Sequence, residues 1–196
     1  MSVKLFGVSV YVSVPFAILL AFLLVTDRTG LMSASIFAML IHEVGHLMVM
    51  KLNHTEPKAV KCCLGGILII GSRFCTAKSS VLIALAGPIF NFLFSFAFLF
   101  LYYIFESDLL VAFAVVQMLL GAINLLPING LDGGLVLREI LLRIPKCNVQ
   151  LVSKYVSIAV SVGVFTAGLA VAVKNVSNPS LLLLGIYLII VNILKT

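Results

Sequence analysis

The sequence predicts an α-helical polytopic membrane protein of about six transmembrane helices, with a short, partly membrane-inserted β-hairpin after the second. Three observations predict it. Of the 196 residues, 62% are hydrophobic and 10% charged, and the mean hydropathy is +1.25, far from the balance of a soluble domain. The apolar residues gather in runs close to the ~20 residues that a helix rising about 1.5 Å per residue needs to cross a bilayer. Between the second and third runs lies Cys63-Leu-Gly65-Gly66-Ile-Leu-Ile-Ile70-Gly-Ser-Arg-Phe-Cys75, β-branched and punctuated by glycine, too short for a span and too apolar for an ordinary loop.

The first apolar run covers residues 8–25. One lysine precedes it, and no small-residue cleavage site follows before Asp27-Arg28, so it is read as a retained span and not a signal peptide. The remaining runs are 31–50, 80–105, 109–126, 152–173 and 180–194. The longest stretches between them, 51–79 and 127–151, are each too short for an independent core. The chain is therefore read as one domain, 1–196, with core motifs in 41–134 and additional C-terminal spans in 152–194.

Charge sets the expected orientation. With six spans, Lys4, Lys51, Lys58, Lys61, Arg73, Lys78, Arg138, Arg143, Lys146, Lys154 and Lys195 fall on one side, and only Arg28 and Lys174 on the other. By the positive-inside rule both termini are cytoplasmic. The net charge of +6 is thus a membrane-orientation signal, and no nucleic-acid partner is expected. Cys62, Cys63, Cys75 and Cys147 all fall on that same side, where thiols stay reduced, so no structural disulfide is expected. The spacing of the first three matches no paired-cysteine zinc knuckle.

The second run carries His42-Glu43-Val44-Gly45-His46. A carboxylate in hydrocarbon costs about 2.5–3.5 kcal/mol or more unless paired or hydrated. On a soluble helix these three residues could simply face water, but this run has no polar face to hold them. Four residues apart on a helix, His42 and His46 present imidazoles to one side, where both can reach a single metal ion. Glu43 stands beside them to take a proton from water whose pKa falls to ~7 on zinc.

Two histidines need a third protein ligand to hold a catalytic zinc. The candidates in or beside spans are Asp132, Glu139 and His54; His54 lies past Lys51 in a polar loop and reads as a solvated side chain. Asp132 sits in Asn124-Leu-Leu-Pro127-Ile-Asn-Gly130-Leu-Asp132-Gly133-Gly134, where proline and glycines break the helix and free backbone to turn toward a site. Taken alone, that setting fits better an aspartate capping the helix that follows, 135–142. Topology adds to the metal reading: the second and fourth spans both run toward the cytoplasm, with His46 roughly 7 Å and His42 roughly 14 Å below that boundary at about 1.5 Å per residue.

At this point the motifs resemble a known family. His42-Glu-Val-Gly-His46 in one span, Ala86-Gly87-Pro88-Ile89-Phe90-Asn91 in the next, and the 124–134 segment after a later one, in that order, are similar to the site-2 protease family of intramembrane zinc metalloproteases. A six-span layout with no inserted PDZ domain most resembles the sporulation-type branch, which processes a membrane-associated sigma-factor precursor. The resemblance implies that His42, His46 and Asp132 bind one Zn2+ and that Glu43 activates the water. It implies that Asn124 contacts substrate backbone or the oxyanion, a role open to its side-chain amide. Asn91 bonds across helices near the site or is a plain interhelical polar contact. The chain departs from the family in two places. Many relatives carry proline shortly before the zinc aspartate, where this chain has Asn129-Gly130, which implies a looser turn; and the nucleotide-sensing CBS domain frequent in that branch does not follow residue 196.

Relatives also carry a Gly-Gly element in the loop after the metal helix, which supports reading Gly65, Gly66, Ile67 and Ile69 as a substrate-binding hairpin edge. Such an edge can pair with an extended substrate by strand addition, a need set by the fact that a transmembrane helix hides its peptide bonds until it unwinds. A simple interfacial anchor is the other reading. The last two spans, with no ionisable residue in 155–173 or 180–194 and with small residues at Ser157, Ser161, Gly163, Thr166, Ala167 and Gly168, suit packing, gating or partner docking.

The function expected is an intramembrane zinc endopeptidase of the bacterial plasma membrane or an internal sporulation membrane. It would cut in or near a transmembrane or membrane-attached segment of a regulatory protein, close to the cytoplasmic face. Its partners would be that substrate, a sigma-factor precursor being the candidate from the family branch, a membrane-protein inhibitor or regulator, and the lipid bilayer. Two alternatives stand beside it. A metal-ion transporter would show ligands staggered over several spans or paired broken helices, and a catalytically silent client-binding relative would have little use for Glu43.

Overall fold

Val8-Ser-Val-Tyr-Val12 repeats a β-branched valine at every second position with Ser9 and Tyr11 between, the two-residue period of a strand, and it forms one. In the computed structural model, which describes residues 2–5, 8–55, 57, 59–63, 66–70, 76–174 and 180–194, the chain falls into two compact units, Met1–Ala122 and Ile123–Thr196. The first unit opens with β1 (Ser2–Leu5) and β2 (Val8–Val12), then α1 (Val14–Thr26), α2 (Leu31–Leu52), β3 (Ala59–Cys63), β4 (Gly66–Ile70), α3 (Ala77–Phe105) and α4 (Asp108–Asn124). Its four strands form one sheet in the order β1-β2-β3-β4. β2 and β3 are parallel, with Val10 opposite Val60, and the crossover between them carries α1 and α2. β3 and β4 are antiparallel, with Val60 opposite Ile69 and Cys63 opposite Gly66.

Two expectations change here. The apolar run 8–25 is not a single span: its first five residues join the sheet and leave α1 with 13 residues, about 20 Å of helix against a hydrocarbon core of ~30 Å. The six-span count is not supported. Among the described residues three helices are long and apolar enough to cross a membrane, α2, α3 and α6 (Val149–Lys174), whereas α4 and α7 (Ser180–Leu194) have 17 and 15 residues. Hydropathy marks where residues are apolar, but strand pairing and helix breakers decide how many continue as one helix. The antiparallel pair also begins earlier than the sequence suggested, with its first strand at Ala59 and not Cys63; residues 71–75 lie outside those described. Exposed Phe96, Phe100 and Tyr103 on α3, and Val162, Leu169 and Val171 on α6, are the lipid-facing surface of a membrane protein.

The start of α2 is held by a residue outside it. Gly30 at the N-cap, with φ 74°, has no side chain to offer, and Asp27 substitutes. Its carboxylate accepts bonds from the backbone N–H of Thr29, Gly30 and Ser33 and from the Ser33 hydroxyl, at 2.9–3.2 Å. The Ser33 backbone bond, first among these, brings the Asp27 pKa down from 3.8 to about 2. A carboxyl lowered on folding stabilises the fold above its unfolded pKa, and that contribution fades as pH falls through the folded one. Protection of the Ser33 amide from hydrogen exchange, relative to its intrinsic rate at each pH, is therefore expected to fall between pH 4 and 2, and the Asp27→Ala variant is expected to show low protection at every pH.

Two small residues let α2 and α3 approach closely. A methyl group on Gly45 would lie 2.8 Å from the Ala86 carbonyl oxygen and 3.0 Å from Phe90 Cβ. Farther along, Phe37, Phe98 and Phe113 of α2, α3 and α4 meet with centroids 5.3–5.9 Å apart in edge and tilted contacts, a favoured aromatic geometry. The Ser95 hydroxyl donates to the Ala114 carbonyl at 2.8 Å, tying α3 to α4.

The second unit continues from the end of α4 through the turn 125–131 into α5 (Asp132–Leu141), α6 and α7. α6 and α7 pack through glycine. A methyl on Gly168 would come 2.7 Å from Leu182 Cα, and one on Gly185 would come 2.5 Å from Phe165 Cα. Of the small residues expected to form this surface, Gly163 does not, since nothing lies within 4 Å of a methyl placed there.

Candidate metal centre

His42 and His46 stand one turn apart on α2 and turn toward α3. They are 6% and 8% exposed, their rings cross at 86° with centroids 4.6 Å apart, and their Nε2 atoms are 3.0 Å from each other. Two imidazoles on a tetrahedral zinc, with Zn–N of ~2.0–2.1 Å, would place their nitrogens about 3.3 Å apart. The pair is therefore already close to ligand geometry. His46 Nδ1 lies 2.7 Å from the Ile83 carbonyl oxygen on α3. A carbonyl only accepts, so Nδ1 carries the proton and Nε2 keeps its lone pair for a metal.

Room for these rings comes from Gly87. A methyl there would lie 2.5 Å from His46 Nε2 and 2.7 Å from His42 Cε1, inside the space the ligand atoms occupy. The sequence singled out the Ala86-Gly87-Pro88 motif as small residues; its purpose is to let α3 pass beside two imidazoles. Glu43 follows His42 on α2 and is half-buried.

Asn91, one turn beyond Gly87, is fully buried, and neither atom of its amide makes a hydrogen bond among the described residues. No interhelical bond from it occurs among the described residues; its Cβ packs where Gly121 of α4 leaves space, 3.3 Å from a methyl placed on that glycine. Sequence reading missed Gln117, also fully buried with no bond to its amide, four residues before Gly121 on α4. An amide in an otherwise apolar helix was the available signal.

In the second unit, Asn124 ends α4 and Asp132 begins α5, both half-buried. The N-cap position belongs to Leu131, whose side chain makes no cap bond, so Asp132 is a first-turn residue and not the cap that was its alternative reading. Gly130 takes φ 101°, a value that favours glycine, and Leu131 N–H closes the turn on Ile128 O at 3.0 Å. The two glycines after Asp132 are steric necessities. A methyl on Gly133 would sit 2.1 Å from the Leu125 carbonyl oxygen, and one on Gly134 would sit 2.1 Å from that of Ile128. Nor is the turn at Asn129 loose, as the sequence had implied: its N–H donates to Ser157 Oγ at 2.9 Å and its Oδ1 accepts from the Ser153 hydroxyl at 2.7 Å.

Of the hairpin residues, Gly66, Ile67 and Ile69 lie in β4, at an edge of the sheet, and Gly65 lies outside the described residues. His54 sits just beyond α2 with φ 53° and is exposed, and Glu139 is half-buried within α5.

Residues 104–169 match the model of peptidase family M50. Over 154 residues, 70% of the chain, it is 26% identical to a zinc metalloprotease of Methanocaldococcus jannaschii. The match spans 44% of that relative's length. The solved site-2 protease from the same organism superposes with a TM-score of 0.66 at 20% identity, covering 97% of this chain and 93% of the other, and the two share a fold. Two imidazoles and a carboxylate, from His42, His46 and Asp132, are a donor set suited to zinc, and zinc is the metal in the relative's name.

Proposed function

We propose, from the premise that the chain is a relative of the site-2 proteases of peptidase family M50, that it is an intramembrane zinc endopeptidase. The observation that carries this reading is the buried His42 and His46 pair with converging Nε2 atoms and a carboxylate, Glu43, at the next position. In this reading His42, His46 and Asp132 each give one ligand atom to a single zinc. Bound there, zinc would acidify a water molecule and polarise the scissile carbonyl.

The chain's own residues do the rest. Glu43 takes the proton from the attacking water and returns it to the departing amine, so the peptide C–N bond breaks to a carboxylate and a free amine. The Asn124 amide donates to the carbonyl oxygen as charge develops on it. The Ile83 carbonyl keeps His46 in the tautomer that leaves Nε2 free. Burial keeps bulk water from competing with these contacts.

The substrate is a transmembrane or membrane-attached segment of a regulatory protein, a sigma-factor precursor being the candidate, cut near the cytoplasmic face and held in check by a membrane-protein partner. The edge position of β4 supports its taking the unwound substrate as an added strand through Gly66, Ile67 and Ile69, with the hairpin partly inserted in the membrane. The Ile69→Pro variant, which lacks one backbone donor, is then expected to lose most cleavage of a verified client at wild-type protein level. Undiminished cleavage across proline substitutions from Ile67 to Ile70 would reject strand addition.

The central test needs no client. Metal content of the detergent-purified protein by mass spectrometry is expected to give about one zinc per chain, lost in Asp132→Ala and retained in Glu43→Gln; once a client is verified, its cleavage by Glu43→Gln is expected to fall about 10²–10⁴-fold. A folded wild type that neither contains nor takes up zinc would overturn the protease reading in favour of a client-binding protein.

A further inference from the structure

We infer that α6 and α7 position the Asp132 turn through a hydrogen-bonded relay, with Ser153, Ser157 and Asn192 as its positioning residues. The inference rests on the reading of Asp132 as a zinc ligand.

Three residues before Asp132, the Asn129 backbone N–H donates to Ser157 Oγ at 2.9 Å. The Ser157 hydroxyl donates in turn to the Asn192 Oδ1 on α7. The Asn192 amide donates onward to Ser161 Oγ at 2.7 Å, and the Ser161 hydroxyl closes the ring on the Ser157 carbonyl at 2.8 Å. A second tether runs from the Ser153 hydroxyl to Asn129 Oδ1 at 2.7 Å. Each donor meets an acceptor, so the orientation of every group is determined by the next. Ser153, Ser157, Ser161 and Asn192 are all buried, at 0–6% exposure.

Packing alone does not call for this. α6 and α7 already meet at Gly168 and Gly185, and for packing alone alanine at positions 153, 157 and 161 would serve as well as serine. Satisfied polar chains in an apolar interior select one geometry, because any other leaves a buried group unpaired. The element this chain terminates on is the turn Ile128–Leu131, whose own closure leads directly into Asp132. The spacing of Ser153, Ser157 and Ser161, four residues apart, puts all three on one face of α6, and only the first of them falls at the level of the Asn129 side chain. The last two helices thus hold the ligand-bearing turn of the second unit.

The test is zinc affinity of the full chain in detergent, read by competition with a chromophoric chelator, together with hydrogen exchange of the 128–134 amides. Ser157→Ala and Asn192→Ala are each expected to weaken zinc about 10-fold, as loss of an outer-shell support does, and to speed exchange at Asn129. In an Asp132→Ala background, Ser157→Ala is expected to cost no further affinity, since the ligand it positions is gone. Equal weakening in both backgrounds would mean general destabilisation and would overturn the inference, as would affinity within two-fold of wild type. If Asn192→Ala does not fold, Ser153→Ala tests the second tether. Unchanged affinity in Asp132→Ala itself would instead remove Asp132 from the ligand set, and with it the inference about zinc, while exchange at Asn129 would still report whether the relay holds the turn.

Discussion

Replacing Gly87 by alanine is expected to yield a folded, helical protein with almost no zinc. The methyl would lie 2.5 Å from His46 Nε2 and 2.7 Å from the His42 and His46 Cε1 atoms, and all of these are outer atoms of side chains. Rings can swing aside at modest cost, whereas backbone cannot, so α2 and α3 keep their packing at Gly45 and Ala86 while the imidazoles give way. His46 then loses its bond to the Ile83 carbonyl, and the two Nε2 atoms no longer converge. Circular dichroism should match wild type, and zinc by mass spectrometry should fall from about one per chain to below about a tenth, a loss of at least the 10–100-fold that misplacing a ligand costs. Retention of wild-type zinc by Gly87→Ala would mean that the rings tolerate the methyl or that the metal is held elsewhere.

Gly133→Ala is expected to fail differently. Here the obstacle is backbone: a methyl would sit 2.1 Å from the Leu125 carbonyl oxygen and 2.4 Å from its carbon, and the turn from Leu125 to Leu131 must open to admit it. Overpacking of this kind costs about 1–3 kcal/mol, and more where backbone must move. Because the methyl adjoins Asp132, zinc and stability should be lost together, visible as a lower Tm and as fast exchange in 128–134. Comparing the two glycine variants separates a site that is emptied from a turn that is unfolded.

Much of this was legible in the sequence. The membrane class follows from hydropathy, because apolar composition at this level has no other stable solvent. The pairing of His42 and His46 was legible because ionisable groups stand out in an apolar helix, and four-residue spacing turns two histidines to one side whatever surrounds them. Helices α3 and α6 begin three residues before their apolar runs, since Thr76 caps one with an accepted bond from Ser79 and Asn148 starts the other with a bond from Leu151, local signals outside the hydrophobic pattern.

The rest required the fold. Val8–Val12 alternates like a strand yet also continues an apolar run, and only pairing with β1 and β3 selects between the two. Gly87 was a small residue in a motif until α3 was seen to pass beside the imidazoles. Asn129 was a departure from proline until Ser153 and Ser157, 24 and 28 residues later, were seen to bind it. Which residues are chemically out of place in hydrocarbon can be read from the chain alone, because the cost of burying an unpaired group follows from its residue type. Tertiary structure decided which neighbours make those residues tolerable and how they are aimed, because hydrogen bonds and steric clearance depend on groups far apart in the chain.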